Sequence, residues 1–315
     1  MKIILGQSQG VNYHRLFNPF QYFKADFVAQ VTEPEDIIVY NVRGIHQSLQ
    51  SIKELQIKGS KVWVDIDDWV ERPLWHSNRQ PNELDITSNI IAHLRNADIV
   101  TTASKKLRDE LYRQFNIQSI LVHNAITTGG TQVEHELSFG WIGTLSHHLD
   151  HRLLAIPLFH KYKASRVLGG ASGYVPEYWE HLQRIWSGNW QHQVKVLEAV
   201  SVDDYMDMYA LIDFALLPSY DDLYTSCKSN LKLLESAASA IPIITNGGTY
   251  SDVKPYQGIR VNGAKEWRKA IELLIRSEHQ RNEYALGLQD YAKGYTMQKS
   301  YDIRCQIINT LLNKN

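Results

Sequence analysis

Short apolar runs alternate with helical stretches from one end of this chain to the other, and that alternation constrains the fold more than any other feature. Lys2–Gly6, Asp36–Asn41, Lys61–Ile66, Ala97–Thr102 and Ile120–His123 are strand-like runs. Gln47–Lys58, Asp85–Asn96 and Lys105–Phe115 lie between them with the spacing of helices, Ser104 standing as the cap of the last. This order predicts an α/β domain with a parallel sheet. The second half repeats the plan. Phe139–Gly143, Ala164–Gly169, Val194–Leu197, Ile212–Leu217, Ile241–Thr245 and Gly258–Val261 read as strands, and helices are expected over 226–240, Trp267–Ser277, Glu278–Tyr291 and Lys299–Asn313. Thr127-Thr-Gly-Gly-Thr131 has the composition of a hinge. With 315 residues there is room for two domains, expected at 1–127 and 128–294, with 295–315 as a separate last segment.

Composition enters only to exclude classes. Two cysteines, Cys227 and Cys305, make neither a disulfide framework nor a cysteine zinc site, so a reducing cytoplasm is the expected compartment. No apolar run reaches membrane-spanning length, and the first residues are too short an apolar run for a signal peptide. Net charge is −1, and residues 1–130 carry 14 basic and 14 acidic side chains, so bulk charge does not mark a nucleic-acid binder.

Three clusters carry chemistry. The expected helix 226–240 bears Lys228, Lys232 and Glu235 as one stripe, with Lys228 in its first turn. Two cations at a helix start, where the backbone is already positive, call for an anion such as a phosphate or diphosphate, unless both are simply solvated. The first strand runs into a turn with Gly10, and His14 and Arg15 follow as polar groups for a cleft, although a histidine packed in the loop fits the same pattern. Asp65, Asp67 and Asp68 crowd the end of the third strand, with Asp65 and Asp67 on one face by alternation. Such a strand end suggests a base, a hydroxyl acceptor or a metal ligand, with one aspartate free to cap the next turn. The loop 69–83, rich in Trp, Pro, His and Arg, reads as a functional loop beside a polar ligand.

With these residues in view, the chain resembles the two-domain, retaining nucleotide-sugar glycosyltransferases of the GT-B fold, family-4-like group. The resemblance rests on Trp141-Ile-Gly-Thr144 with His147 and Asp150, on Lys228–Glu235 followed by Ile241-Pro242, on Val64–Asp68 and on Val122–Ile126. It implies two Rossmann-like domains facing across a cleft, with the last helix packing back on the first domain. It also implies a UDP- or GDP-sugar donor, transfer to a saccharide or glycoconjugate hydroxyl, and no required metal. Glu235 matches the second glutamate of the family's E-x7-E element, which grips the donor ribose. The first glutamate, which holds the donor sugar, falls at Cys227, a departure that leaves the sugar open. Lys228 and Lys232 would neutralise the diphosphate, with Gly143, Thr144 and His147 beneath it and Gly10 at the first turn. Asp67, Asp68 and His14 would be catalytic, with Arg15, His46 and Trp69 on the acceptor side.

Two other readings stay open on sequence. Phage-type enzymes that glycosylate hydroxymethylated DNA bases are also similar, and modified duplex DNA would use Arg15, Arg43, Arg72 and Arg79 as a groove, with Trp69 and Trp75 to stack on a base. A non-catalytic sugar-nucleotide binder is the other, motivated by Cys227.

Overall fold

A computed structural model of the chain describes residues 1–5, 13–43, 45, 47–76, 79–126, 133–154, 164–170, 176–187, 194–198, 200–201 and 204–313; for 145–148 and 176 it describes the backbone alone. Strands β1 (Lys2–Ile4), β2 (Asp26–Val28), β3 (Ile37–Asn41), β4 (Lys61–Ile66), β5 (Ile99–Thr102) and β6 (Ile120–Leu121) form one sheet in the order β2-β1-β3-β4-β5-β6. Strands β7 (Ser138–Ile142), β8 (Ser165–Gly169), β9 (Val194–Val196), β10 (Phe214–Leu217), β11 (Ile243–Thr245) and β12 (Ile259–Arg260) form a second, ordered β12-β11-β10-β7-β8-β9. Every pairing in both sheets is parallel.

The local reasons are plain in the sequence. β3 is buried along its whole length, and β4 is buried in all but its first residue. Strands covered on both faces read as continuous apolar runs. Crossover helices α1 (Leu49–Ile57), α2 (Glu83–Asn96) and α3 (Lys105–Phe115) link β3 to β6, and α4 (Pro176–Ser187) links β8 to β9. Ser104 caps α3 as expected, its Oγ accepting from Leu107 N at 3.1 Å. The edge strand β2 and helix α4 have no counterpart in the sequence reading.

Each sheet has one point where the chain reverses its direction of winding: β1/β3 in the first, β7/β10 in the second. Crevices at such points, outside the carboxyl ends of the strands, are where doubly wound sheets bind ligands. The second crevice is lined by close backbone approaches. Gly248 has φ +63°, and a Cβ there would lie 2.2 Å from the Tyr220 carbonyl oxygen.

Buried side chains at two places help tie the halves together. Helices α5 (Leu223–Ser226) and α6 (Leu231–Ala238) connect β10 to β11, and Tyr224 and Cys227 are buried in a first-half cluster with Ile66, Trp69 and Leu107. After α7 (Ala264–Arg276) and α8 (Glu278–Ala292), the last helix, α9 (Met297–Leu312), returns to the first half. Its Ile307 and Leu311 pack with Ile3, Leu16, Phe20 and Trp63. Among the described residues no helix is long and apolar enough to cross a membrane.

Candidate active site between the two sheets

The segment after β10 folds as two helices where one was expected. Asp222 caps α5 through a capping box, its Oδ1 accepting from Thr225 N at 2.8 Å while Thr225 Oγ1 accepts from Asp222 N at 3.3 Å. That one-turn helix closes at Ser226, and α6 starts afresh at Leu231, so Lys228 lies in the break and not in a first turn. Asn230 gives α6 no side-chain cap, and the Leu231 and Lys232 backbone N–H groups find no acceptor among the described residues. A helix end in this state is a ready anion site.

Charged side chains surround it. Lys232 Nζ donates to Glu235 Oε2 at 2.8 Å and to the Tyr205 hydroxyl, and lies 4.7 Å from the centre of the Tyr205 ring. Glu235 is 1% exposed, and its Oε2 also accepts from the Tyr209 hydroxyl at 2.7 Å. Lys228 Nζ reaches across to the first half and donates to Asp68 Oδ1 at 3.0 Å. Tyr224 OH donates to Asp68 Oδ2 at 3.0 Å. Burial works to raise the Asp68 pKa, but Lys228, Arg43 and the Tyr224 hydroxyl overcome it and hold the carboxyl well below the usual range.

On the first half, the three aspartates divide their roles. Asp65 is sealed in a bidentate pair with Arg15, Nε to Oδ2 at 3.0 Å and Nη2 to Oδ1 at 2.5 Å, and also accepts from Thr101 Oγ1 at 2.7 Å. Asn41 Nδ2 bridges Asp65 and Asp67, 3.2 Å from an oxygen of each. Asp67 has no cation of its own, and burial followed by the charges of Asp68 and Asp65 pushes its pKa up to about 6. His14 sits in a short π-helix, Tyr13–Phe17, with its Nδ1 sealed from solvent and without a hydrogen-bond partner among the described residues. Burial lowers its pKa, with the charge of Glu235 opposing and that of Lys232 reinforcing the shift.

Trp75 and His76, in the stretch after β4, reach the second half. Trp75 Nε1 donates to Asp222 Oδ2 at 2.7 Å, and its ring centre lies 4.7 Å from that of Tyr220. His76 Nε2 lies 3.3 Å from Tyr224 OH. The loop is held from below by Glu83, whose Oε1 accepts from Arg72 N at 2.9 Å. Ser104 Oγ donates to the Cys227 carbonyl at 2.6 Å, and Asn124 Nδ2 to Ser229 Oγ at 2.8 Å.

The structure thus brings Asp67, Asp68, His14, Lys228, Lys232 and Glu235 to one cleft. It moves other expected residues out of it. Arg15 is 2% exposed and is held by Asp65, the Val122 carbonyl and Asn124, so it braces the end of β4 from within and does not line the cleft. Trp69 is buried, its ring stacked 5.7 Å from Phe115. Cys227 is 0% exposed inside the interface cluster, where burial raises its thiol pKa to about 12. Gly143 and Thr144 follow β7 at the second crevice, Thr144 exposed, and a Cβ on Gly143 would lie 2.3 Å from the Trp141 ring. Gly10, His46, the hinge 127–131 and the His147 side chain lie outside the described residues. Asn41, Tyr205, Tyr209 and Tyr224 were not singled out by sequence; only the four-residue spacing of Tyr205 and Tyr209 hints that they share a face. A cavity of 260 Å³ lies behind α6, lined by Ile126, Leu234, Ala237 and Gln289, away from these charged groups.

No family model matches the chain, and no curated protein matches it by sequence. Solved structures do. TarM of S. aureus superposes with a TM-score of 0.65 at 12% identity, over 87% of this chain and 54% of its own. The pneumococcal O-GlcNAc transferase GtfA, in complex with UDP and GlcNAc, gives 0.62 at 13%, over 88% and 57%. This chain therefore spans little more than half the length of either. A glycosyltransferase from Rickettsia africae gives 0.67 at 10%, over 100% of this chain and 98% of its own. Likeness at such identities shows the fold, and the fold is GT-B, two parallel six-stranded sheets flanked by helices.

Proposed function

We propose that the protein is a glycosyltransferase that moves a sugar from a UDP- or GDP-sugar to a hydroxyl of a saccharide or glycoconjugate, with retention and without a required metal. One observation carries the reading. The uncapped N-terminus of α6 opens beside Lys228 and Lys232, opposite His14, Asp67 and Asp68 of the other half. Transfer breaks the bond from the sugar's anomeric carbon to the diphosphate and forms one to the acceptor oxygen, while the acceptor proton must leave. The helix end and the two ammonium groups would answer the charge gathering on the diphosphate. Asp67, with a pKa of about 6, would orient the acceptor hydroxyl and take its proton. Glu235, held by Tyr209, would bind the ribose hydroxyls. Both cysteines are free thiols, which fits a reducing cytoplasm.

Modified duplex DNA fits less well as the acceptor. Arg15 is held by Asp65, Arg43 donates to the Trp69 carbonyl, Arg72 lies 3.9 Å from Glu83, and Arg79 pairs with Glu71. Trp69 is buried and Trp75 is engaged with Tyr220 and Asp222. The test is thermal stabilisation by a panel of nucleoside diphosphates and nucleotide sugars, followed by transfer assays with and without EDTA. A ligand at a hundred times its dissociation constant should add about 2.7 kcal/mol. The expected result is a shift with one base that disappears in Lys232→Ala and in Glu235→Ala. Absence of any shift overturns the reading, and donor binding without turnover on a broad acceptor panel replaces it with a sugar-nucleotide binder.

A further inference from the structure

The last helix buries a cation that has no carboxylate of its own. Arg304, on α9, is 2% exposed. Its Nη1 donates to the Ser300 carbonyl at 3.2 Å and to Ser300 Oγ, and its Nη2 donates to the Arg15 carbonyl at 3.2 Å. The guanidinium lies 5.4 Å from the centre of the Phe20 ring, and Nε is sealed from solvent without an acceptor among the described residues. Burial, reinforced by the charge of Arg15 and opposed by that of Asp65, lowers its pKa to about 9.

Burying a guanidinium without a paired acid is strongly unfavourable, and an apolar side chain would fill the same space among Leu16, Phe20 and Ile307 without that cost. What an apolar residue could not do is hold the Arg15 carbonyl. That carbonyl belongs to the short π-helix Tyr13–Phe17, a geometry frequent at functional sites. The turn carries His14 on one side and Arg15 on the other. Arg15 in turn fixes Asp65 and, through Asn41, the orientation of Asp67.

We propose that Arg304 is a positioning residue: by clamping the Arg15 carbonyl, α9 fixes the short π-helix Tyr13–Phe17 of the first half and with it the place of the His14 ring. Docking of the last helix and assembly of the cleft are then one event. The geometric claim stands apart from the transfer reading, and only its kinetic consequence rests on that reading.

The experiment follows the His14 imidazole by NMR through a pH titration, its signal assigned by its loss in His14→Gln, in the wild type, Arg304→Met and Ser300→Ala. Groups facing the ring are Tyr13 at 5.2 Å on its own turn and Glu235 and Lys232 on α6. In the wild type the ring should titrate below an ordinary histidine. In Arg304→Met, with thermal unfolding preserved, it should titrate near an ordinary histidine. Ser300→Ala, which removes one acceptor from the guanidinium and leaves the core intact, should move it the same way by less. With donor and acceptor in hand, kcat should fall at least tenfold in Arg304→Met, with donor KM within twofold of wild type. An unchanged His14 titration in Arg304→Met overturns the proposal and leaves Arg304 a packing residue. If that variant does not fold, an unchanged titration in Ser300→Ala overturns it equally. If the wild type transfers no sugar, the transfer reading fails by itself and the titration still decides.

Discussion

Asp65 and Asp68 stand three residues apart at the end of one strand, and each pairs with a cation, yet the two pairs do different work. Asp65 and Arg15 are 4% and 1% exposed, belong to the same half, and are locked by Thr101, Asn41, Asn124 and the Val122 carbonyl. Asp68 and Lys228 are 20% and 17% exposed and come from opposite halves. The first pair is a brace that nothing else could replace. The second is a contact whose partners both lie at the cleft, where another anion or cation could take either place. Asp67, between them, pairs with no cation among the described residues and keeps its proton to a higher pH than Asp68 does. Charge alone does not mark a working carboxylate; the number of fixed partners and their accessibility separate the three.

Breaking the brace should have the largest effect. Asp65→Asn leaves the Arg15 guanidinium buried without its counter-ion, and removing one member of such a pair costs about 3–5 kcal/mol. Denaturant unfolding of this variant should show that loss, and a loss below about 1 kcal/mol would erase the distinction between the two pairs. Asp67→Asn should act in the opposite sense on stability and against activity. The Asp67 carboxyl has its pKa raised in the fold, so it is ionised at a stability cost above about pH 6 and protonated below it. The asparagine variant should therefore be more stable than wild type at pH 7 by about 1–3 kcal/mol. That difference should shrink as pH falls through 6 and vanish below about 4, the ordinary aspartate range. Sugar transfer should meanwhile fall at least about 10²-fold. Equal stability at pH 7 and at pH 4 would mean that Asp67 is an ordinary solvated acid.

His93 supplies a background that this comparison must subtract. Its ring is buried, with Nδ1 2.8 Å from the Tyr40 hydroxyl, and burial lowers its pKa. The unfolded chain takes up that proton more readily, so both wild type and Asp67→Asn should lose stability as pH falls below about 6.5. Only their difference reports on Asp67. His93→Gln should flatten the shared slope in thermal melts and leave the difference intact.

The sequence made the alternation of strands and helices legible because buried parallel strands and capped helices are local events. Lys61–Ile66 and Lys105–Phe115 have the same bounds in the structure as in the sequence reading. The six-strand orders follow from which strands pair, which no local signal states. The break at Cys227–Asn230 was written in the chain, since Asp222 and Thr225 form a cap pair and Ser229-Asn230 are poor mid-helix residues, but the continuous stripe of Lys228, Lys232 and Glu235 masked it. Arg15 was misjudged for another reason: its partner lies fifty positions away, and nothing near it announces a buried counter-ion. The same distance hid Tyr224 against Asp68 and Arg304 against Arg15. Contacts between halves are where local reasoning stops.

The smallest expected effect sharpens the comparison most. Asp68→Asn removes a carboxylate from a partly exposed pair, which costs at most about 1 kcal/mol of stability. It also releases Lys228, whose Nζ lies 3.0 Å from Asp68 Oδ1. If the cleft takes a diphosphate, that anion and Asp68 compete for one ammonium group, and removing the competitor should tighten nucleoside diphosphate binding. A gain of about 0.4–1 kcal/mol corresponds to roughly two- to fivefold in affinity. Titration calorimetry on Asp68→Asn and on the double variant with Lys228→Ala separates the causes. The gain should disappear in the double variant, because no ammonium is left to release. Weaker binding in Asp68→Asn would instead make Asp68 a direct contact of the ligand. A stability loss matching that of Asp65→Asn would make it a second brace, and the cleft would then be a joint held shut by design of its own side chains.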